Sequence, residues 1–470
     1  MPPRWARTAG ATPQHPLREA LSLRGAHVSV LELLDAYRRR ERSPVEVADE
    51  TLERIARLPD RLRAFVTVTD DLARDQAAAA ERAYGDGTAG PLAGVPITIK
   101  DLLDVAGVPT GVGSLLHEYG PARGDSPFVA AVRGAGAVIV GKTATPEMGW
   151  KGETTSRVHG STENPWRAGR TSGGSSGGAA VAAAMLPDVL HHGGDGAGSI
   201  RIPSSMCGVF GLKPTWGLVP TDPVNSGLSV QGPITRSVAE AALLLDVTAG
   251  TGALESLEGG VRGLRMAWGG DLGFAAAEPE VVAVCEAAAR SFAALGAVVD
   301  EAFPPLGDPW PVVDAIWCAN QAAPFSAGRL DEARDRLDGG RVPVIERGLE
   351  MTATELVDAQ SAKALYAAAW ETFMRDWDLV LTPTLPITAF PAGLDQPGSV
   401  AGRRTEYLSW TAFTYPFNVS GQPAATVPCG TVDGLPVGLQ IVGRRGADAL
   451  VLRAAAAFEQ AHAWRLLQDD

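Results

Sequence analysis

Short β-branched runs alternate with alanine-rich stretches along most of this chain, and that alternation limits the folds open to it. "AFVTV" (64–68) and "VPITI" (95–99) have strand composition, and the helical stretch "ARDQAAAAERA" (73–83) lies between them. Further strand candidates are "AVIV" (137–140), "LRMAW" (264–268), "DLVLT" (378–382), "AATVP" (424–428) and "GLQIV" (438–442). Helical patterns at 279–295, 345–377 and 447–463 fill the gaps. The alternation predicts an α/β fold, a central mixed twisted sheet covered by helices on both faces. Near the start, Ser29-Val30-Leu31-Glu32 and Ser43-Pro44-Val45-Glu46 each read as a capping box opening a helix, the second with proline at the first helical position. Val45, Ala48, Leu52 and Ile55 then share one face. Residues 1–16 read as a loose tail. Residues 17–470 read as one α/β domain with a helical, loop-rich peripheral region at 305–410.

Composition narrows the function. Of 470 residues, 45% are hydrophobic, enough for a large core and against disorder. A net charge of −13 opposes sequence-independent nucleic-acid binding, which needs basic stripes. Cys207, Cys285, Cys318 and Cys429 are scattered with no C-x-x-C, neither a zinc framework nor a disulfide scaffold. The first sixteen residues have arginines but no apolar segment of a secretory signal, and no run reaches transmembrane length. The expectation is a cytoplasmic protein without a membrane or nucleic-acid partner, acting as a monomer or homodimer.

Two motifs mislead. "GAVIVGKT" (136–143) satisfies the Walker A pattern, but a phosphate cradle needs exposed backbone N–H groups where this chain has Ala-Val-Ile-Val, a buried strand. "GGSSG" (173–177) satisfies the G-x-S-x-G elbow, yet the preceding "ENPWRAGRT" is no strand. His191 and His192 have no third ligand at metal spacing and read as solvated or structural; His462 lies on a terminal helix. The run "TSGGSSGG" (171–178) leads into the helix formers of "GGAAVAAAM", so it ends at a helix N-terminus and is not a linker. A second glycine–serine loop follows, "GGDGAGSIRIP" (193–203). Lys100 closes the apolar strand "GVPITIK". Desolvation there favours a neutral amine able to act as base, while pairing with Asp101 is the plainer reading, and on these residues alone the favoured one.

Taken together, these pieces resemble the amidase-signature family of serine amidohydrolases. The matching text is "PLAGVPITIKDL" (91–102), "GKTATPEMG" (141–149), "NPWRAGRTSGGSSGGAAVAAA" (164–184) and "GDGAGSIRIPSSMCGVFGLKPTWGLVP" (194–220). "PFNVSGQPAATVP" (416–428) and "GLPVGLQIVG" (434–443) follow in the right order, and the likeness runs from about residue 20 to 465. The resemblance implies amide hydrolysis by a Ser–Ser–Lys arrangement with no metal or other cofactor. Ser199 would be the nucleophile, Ser175 the bridging serine after a cis peptide, and Lys100 the base. Backbone N–H groups of Gly196, Ala197, Gly198 and Ser199 would form the oxyanion hole, with Ser176, Asp195 and Arg201 orienting the loops.

The chain departs from the common family form G-T-D-[TI]-G-G-S at Gly194, Gly196 and Ala197. With His192-Gly193 before it, the loop resembles the HG-x-D-x-AGS form of the nylon cyclic-dimer amidases. The resemblance also places Trp150, directly after "PEMG", at an acyl pocket. Trp410, Phe413 and Tyr415 are further candidates for its wall, or else core. The implied substrate is a small amide, apolar or aromatic. An aryl ester or carbamate is the alternative within the same chemistry. An ammonia-transferring amidotransferase A subunit is a more distant alternative, since Ile202 follows Arg201 where that subfamily tends to carry glutamine.

Overall fold

The strand-like runs come together in one eleven-stranded sheet. The computed structural model describes residues 29–117, 120–221, 227–325, 327–462, 464 and 467, so the tail read over 1–16 lies outside the described residues. In chain order the strands are β1 (Phe65–Val68), β2 (Pro96–Lys100), β3 (Val138–Thr143), β4 (Leu190–Asp195), β5 (Phe210–Lys213) and β6 (Val230–Thr235). They continue as β7 (Arg265–Trp268), β8 (Val298–Glu301), β9 (Leu379–Pro383), β10 (Ala424–Val432) and β11 (Leu435–Gly443). Across the sheet the order is β1-β3-β2-β4-β6-β5-β10-β11-β9-β7-β8. Pairs β2/β3, β2/β4, β7/β8 and β7/β9 are parallel. The remaining pairs are antiparallel, so the sheet is mixed as expected.

The seven strands expected from β-branched runs all form, with ends moved by a few residues. Four others escaped that reading. β4 is "LHHGGD", and β6 is "VQGPIT" with glycine and proline inside it. Glycine and histidine in β4, and glycine and proline in β6, interrupt the strand signal; neighbours on both sides bind each into the sheet. β5 ("FGLK") and β8 ("VVDE") are short and end in charged residues, with little of the β-branched run that marked the others. The helical pattern at 345–377 is two helices, Val342–Glu350 and Ala353–Phe373, because Thr352 and Glu355 form a capping box that starts the second. Ser29 and Glu32 make the expected box. The Ser43 hydroxyl accepts from the N–H groups of Val45 and Glu46 and donates to Glu81, but the bond from the Ser43 N–H to the Glu46 carboxylate that would complete the box is not made. On that helix Val47, Ala48, Leu52 and Ile55 carry the buried face, with Val45 at its edge.

Two features of the core place the site. Helix Gly177–Met185 is buried at all nine residues, apolar all round, and packs in a cluster with Val138, Val140 and Ile200. Its second residue touches backbone: a Cβ on Gly178 would fall 2.4 Å from Ala144 N and 2.5 Å from Ala64 O. That contact fixes the helix start, and with it the serine loop just before. The second feature corrects the plainer reading of Lys100. Asp101 pairs with Lys142 of β3 at 2.9 Å, with both side chains almost wholly buried, so Lys100 is left to another partner. Lys142, the lysine of the Walker-like text, lies inside a strand and also donates to Thr110 Oγ1. No described helix is long and apolar enough to cross a membrane.

The buried Lys142–Asp101 pair gives a stability prediction. Asp101→Asn leaves a buried ammonium without its counter-ion and should cost about 3–5 kcal/mol. Urea unfolding followed by circular dichroism checks this; a change below about 1 kcal/mol would mean that the pair is exposed to solvent in practice.

Candidate active site

Three loops meet at the C-terminal end of β2. The first holds Lys100, whose side chain is 1% exposed and whose Nζ donates to Ser175 Oγ at 2.8 Å and to Gly194 O at 3.4 Å. Burial lowers its pKa to about 7 against the opposing pull of Asp195, so near neutral pH a substantial fraction is free amine. The second loop is the glycine–serine run. The peptide bond before Ser175 is cis, and Gly174 lies so close to Glu153 that a Cβ would sit 2.6–2.7 Å from its backbone atoms. Ser176, next along, donates its backbone N–H to Ser199 O at 3.2 Å. Its hydroxyl donates to Gly194 O (3.2 Å) and accepts from Gly194 N–H (3.3 Å). Ser176 therefore ties the second loop to the third.

The third loop, Asp195–Ser199, is organised by one carboxylate. Asp195 accepts from the N–H groups of Gly198 (2.7 Å) and Ile200 (3.2 Å). Arg201 grips both of its oxygens at 2.9 Å through Nε and Nη2. The remaining guanidinium hydrogens go to Thr414 O, Gln440 Oε1 and Asn418 Oδ1 at 2.6–2.9 Å. Asn418 Nδ2 in turn donates to Asp195 Oδ1 at 2.9 Å. Burial opposes ionisation of Asp195, but the Arg201 charge and these donors outweigh it and hold the carboxyl far below the usual range. The arrangement satisfies every hydrogen of the fork. It also corrects one expectation: the Gly198 N–H is spent on Asp195 and does not face outward. The N–H groups of Gly196, Ala197 and Ser199 have no hydrogen-bond partner among the described residues.

Ser199 keeps 6% exposure, more than Ser175 at 2% or Lys100, so the site opens toward Ser199. Trp150, expected at an acyl pocket, and Trp410, Phe413 and Tyr415, read as its wall or else core, do not offer surface. Trp150, Phe413 and Tyr415 are fully buried and Trp410 nearly so. Their polar ends are occupied: Trp150 Nε1 by Asp338, Tyr415 Oη by Asp308, and Trp410 Nε1 by the Tyr407 carbonyl. The region read as peripheral supplies those partners and seals the rings in, which is the physical reason for the difference. The same region contributes a ring that sequence reading missed. Trp317, on helix Trp310–Ala322, is 7% exposed, and a Cβ on Gly196 would lie 2.9 Å from its Cζ3. Asn418 and Gln440 were also missed as site residues, although both stand inside quoted matching text.

His191 and His192 are wholly buried in β4 and so are not solvated. His462 follows helix Asp448–Ala461 and packs on Phe458. Among the described residues no group of three or more His, Cys, Asp or Glu could hold a metal ion. A cleft of about 280 Å³ lined by Ala319, Phe325, Gly348, Met351, Thr352 and Leu356 shares no residue with the three loops.

A family profile described as Amidase matches residues 46–452. The chain belongs to the amidase signature family. An acylamidase of Rhodococcus erythropolis is 38% identical over 461 residues, covering 93% of this chain and 96% of that one. A 6-aminohexanoate-cyclic-dimer hydrolase of Paenarthrobacter ureafaciens is 34% identical, covering 90% and 92%. The crystal structure of a bacterial aryl acylamidase of the amidase signature family superposes with a TM-score of 0.87 at 30% identity, covering 93% and 97%. As a member of this family, the chain is an amidohydrolase.

The Asp195–Arg201 pair gives the site its own test. Arg201→Lys provides three donors in place of a five-hydrogen planar fork, leaving buried acceptors on Asn418, Gln440 or Thr414 unpaired. The variant keeps the charge beside Asp195 but should lose about 1–3 kcal/mol of stability for each buried acceptor left unpaired. Denaturant unfolding of both proteins measures it, and equal midpoints would show that the fork geometry is dispensable.

Proposed function

We propose that this amidase cleaves a small, uncharged amide with an apolar or aromatic group, through an acyl-enzyme on Ser199. The observation that carries the mechanism is the 2.8 Å contact from Lys100 Nζ to Ser175 Oγ at a lysine held near neutrality by burial. Neutral Lys100 accepts the Ser175 proton as Ser175 accepts that of Ser199, and Ser199 Oγ adds to the substrate carbonyl. The N–H groups of Gly196, Ala197 and Ser199 take the developing oxyanion, each worth about 3–4 kcal/mol in the transition state. The proton returns through Ser175 to the leaving nitrogen as the C–N bond breaks. Water then repeats the sequence to release the acid and restore Ser199.

Support for an uncharged substrate comes from how the nearby charges are used. Asp195 pairs with Arg201, Asp101 with Lys142, Glu147 with Arg341, and Lys151 with Asp338 and Asp395. Glu153, beside Gly174, has no salt-bridge partner among the described residues, and burial pushes its carboxyl up to about 7, toward the neutral form. What stands against Gly196 of the oxyanion loop is uncharged: the indole of Trp317 and the hydroxyl of Ser229. The acylamidase relative favours hydrolysis by the isolated chain over ammonia transfer within a larger complex. Aryl esters and carbamates demand the same acyl-serine chemistry and belong in the same assay.

A fluorophosphonate probe should label Ser199 covalently, and Ser199→Ala should abolish both labelling and turnover of an anilide panel. Labelling mapped to Ser175 would overturn the assignment. The rate should rise from acid pH through about 7 as Lys100 loses its proton. Lys100→Arg should fall by at least about 10²-fold in kcat, because a guanidinium does not deprotonate. Near-normal turnover in that variant would reduce Lys100 to a structural charge.

A further inference from the structure

β4 is an improbable strand, and its improbability points to a purpose. In the middle of the sheet, where Val or Ile would satisfy both propensity and packing, the chain places His191 and His192, fully buried. His191 meets Thr98 Oγ1 at 2.9 Å, on the strand that ends in Lys100. His192 reaches Lys100 itself. The ladder between β2 and β4 spans only Ile97↔Leu190 and Thr98↔His191, so it stops short of the lysine. The Lys100 backbone N–H instead donates to His192 Nδ1 at 3.2 Å. The ring packs on Phe128, with centroids 4.4 Å apart, and its Nε2 lies 2.8 Å from Gln231 Oε1 on β6. With Nδ1 accepting, Nε2 must carry the hydrogen and Gln231 must accept it, so both contacts select one tautomer.

We infer that His192, held by Gln231, is a positioning residue for Lys100: its imidazole replaces the missing ladder bond and fixes the strand end from which the amine reaches Ser175. The same pair bears on the other contact of the amine. Gln231 Oε1 would be 3.0 Å from a Cβ on Gly194, the residue whose carbonyl accepts from both Lys100 Nζ and Ser176 Oγ. Burial keeps the imidazole neutral, its pKa lowered to about 3, so it neither relays a proton nor adds charge beside the lysine. The charges that do face this end of β2 are Asp195 from β4, bound to Arg201, and the Lys142–Asp101 pair from β3 and the turn after β2. Removing the acceptor leaves a buried N–H that recruits water to the strand end. Water there rehydrates the ammonium, displaces the amine from Ser175, and moves the acid limb of the rate profile to higher pH.

This inference rests on Lys100 acting as the base, and the experiment separates the two. Amide oxygens substitute selectively for imidazole nitrogens: asparagine mimics Nδ1, and glutamine mimics Nε2. Full-length wild type, His192→Asn, His192→Gln, His192→Leu and Lys100→Ala are compared for kcat, KM and the pH dependence of kcat/KM on an anilide. The rate of fluorophosphonate labelling at Ser199 serves as a readout independent of substrate choice. His192→Asn should stay within about threefold of wild type, while His192→Gln and His192→Leu should lose on the order of 10²-fold in kcat with KM little changed. The acid limb should move upward in those two alone. Nitrogen NMR of the wild-type imidazole should show the neutral Nε2–H tautomer throughout roughly pH 5–8. Equal losses in the asparagine and leucine variants with an unmoved pH profile, or an Nδ1–H tautomer, would make His192 a core residue and overturn the inference. Full labelling and turnover in Lys100→Ala would instead overturn the reading of Lys100.

Discussion

The bond between Asp195 and Arg201 is the contact on which the site depends. Both side chains are completely buried, so each ion has lost its hydration and must recover it from the protein. Asp195 recovers it from Arg201, Asn418 and the N–H groups of its own loop; Arg201 recovers it from Asp195, Asn418, Gln440 and Thr414. These partners come from β4, β11 and the segment around Thr414 and Asn418. The network therefore cannot form until distant parts of the chain have docked. Its product is a loop with one N–H turned inward at Gly198 while those of Gly196, Ala197 and Ser199 have no hydrogen-bond partner among the described residues. In the proposed mechanism a substrate would meet donors whose orientation was set during folding, the condition for electrostatic stabilisation of an oxyanion.

A second contrast separates two lysines on adjacent strands. Lys100 and Lys142 are both buried near the ends of β2 and β3. Lys142 has a carboxylate at 2.9 Å and is a structural ion. Lys100 has a hydroxyl and a carbonyl in place of a carboxylate, and burial then favours its neutral form. Asp101 follows Lys100 directly in sequence but belongs to its neighbour in space. The chemistry proposed for the site depends on that exchange of partners.

The same exchange shows what the sequence could and could not reveal. The apolar runs that became β2, β3, β9 and β11 were legible because burial on both faces demands them. β4 and β6 were not, since their glycines, histidines and proline serve loops and contacts contributed by other strands. The glycine–serine loops advertised themselves through composition, and the candidate residues Lys100, Ser175 and Ser199 through matching text. Whether the aromatics line a pocket or fill the core could not be read, because a tryptophan near a motif reads alike whether open or sealed. Only the partners Asp308, Asp338 and Tyr407, distant in sequence, decide it. Trp317 had no local signal at all; what brings it to Gly196 is the packing of a helix from the region read as peripheral.

The central claim is that Lys100 is a neutral amine in the folded protein near pH 7. Titration of that one nitrogen is its most direct test, by NMR of protein carrying isotope-labelled lysine, with the resonance assigned through Lys100→Arg. A midpoint near pH 7 with the protein folded throughout is the predicted result. A midpoint near the ordinary lysine value of about 10.4 would contradict it, leaving Ser175 without a base at neutral pH.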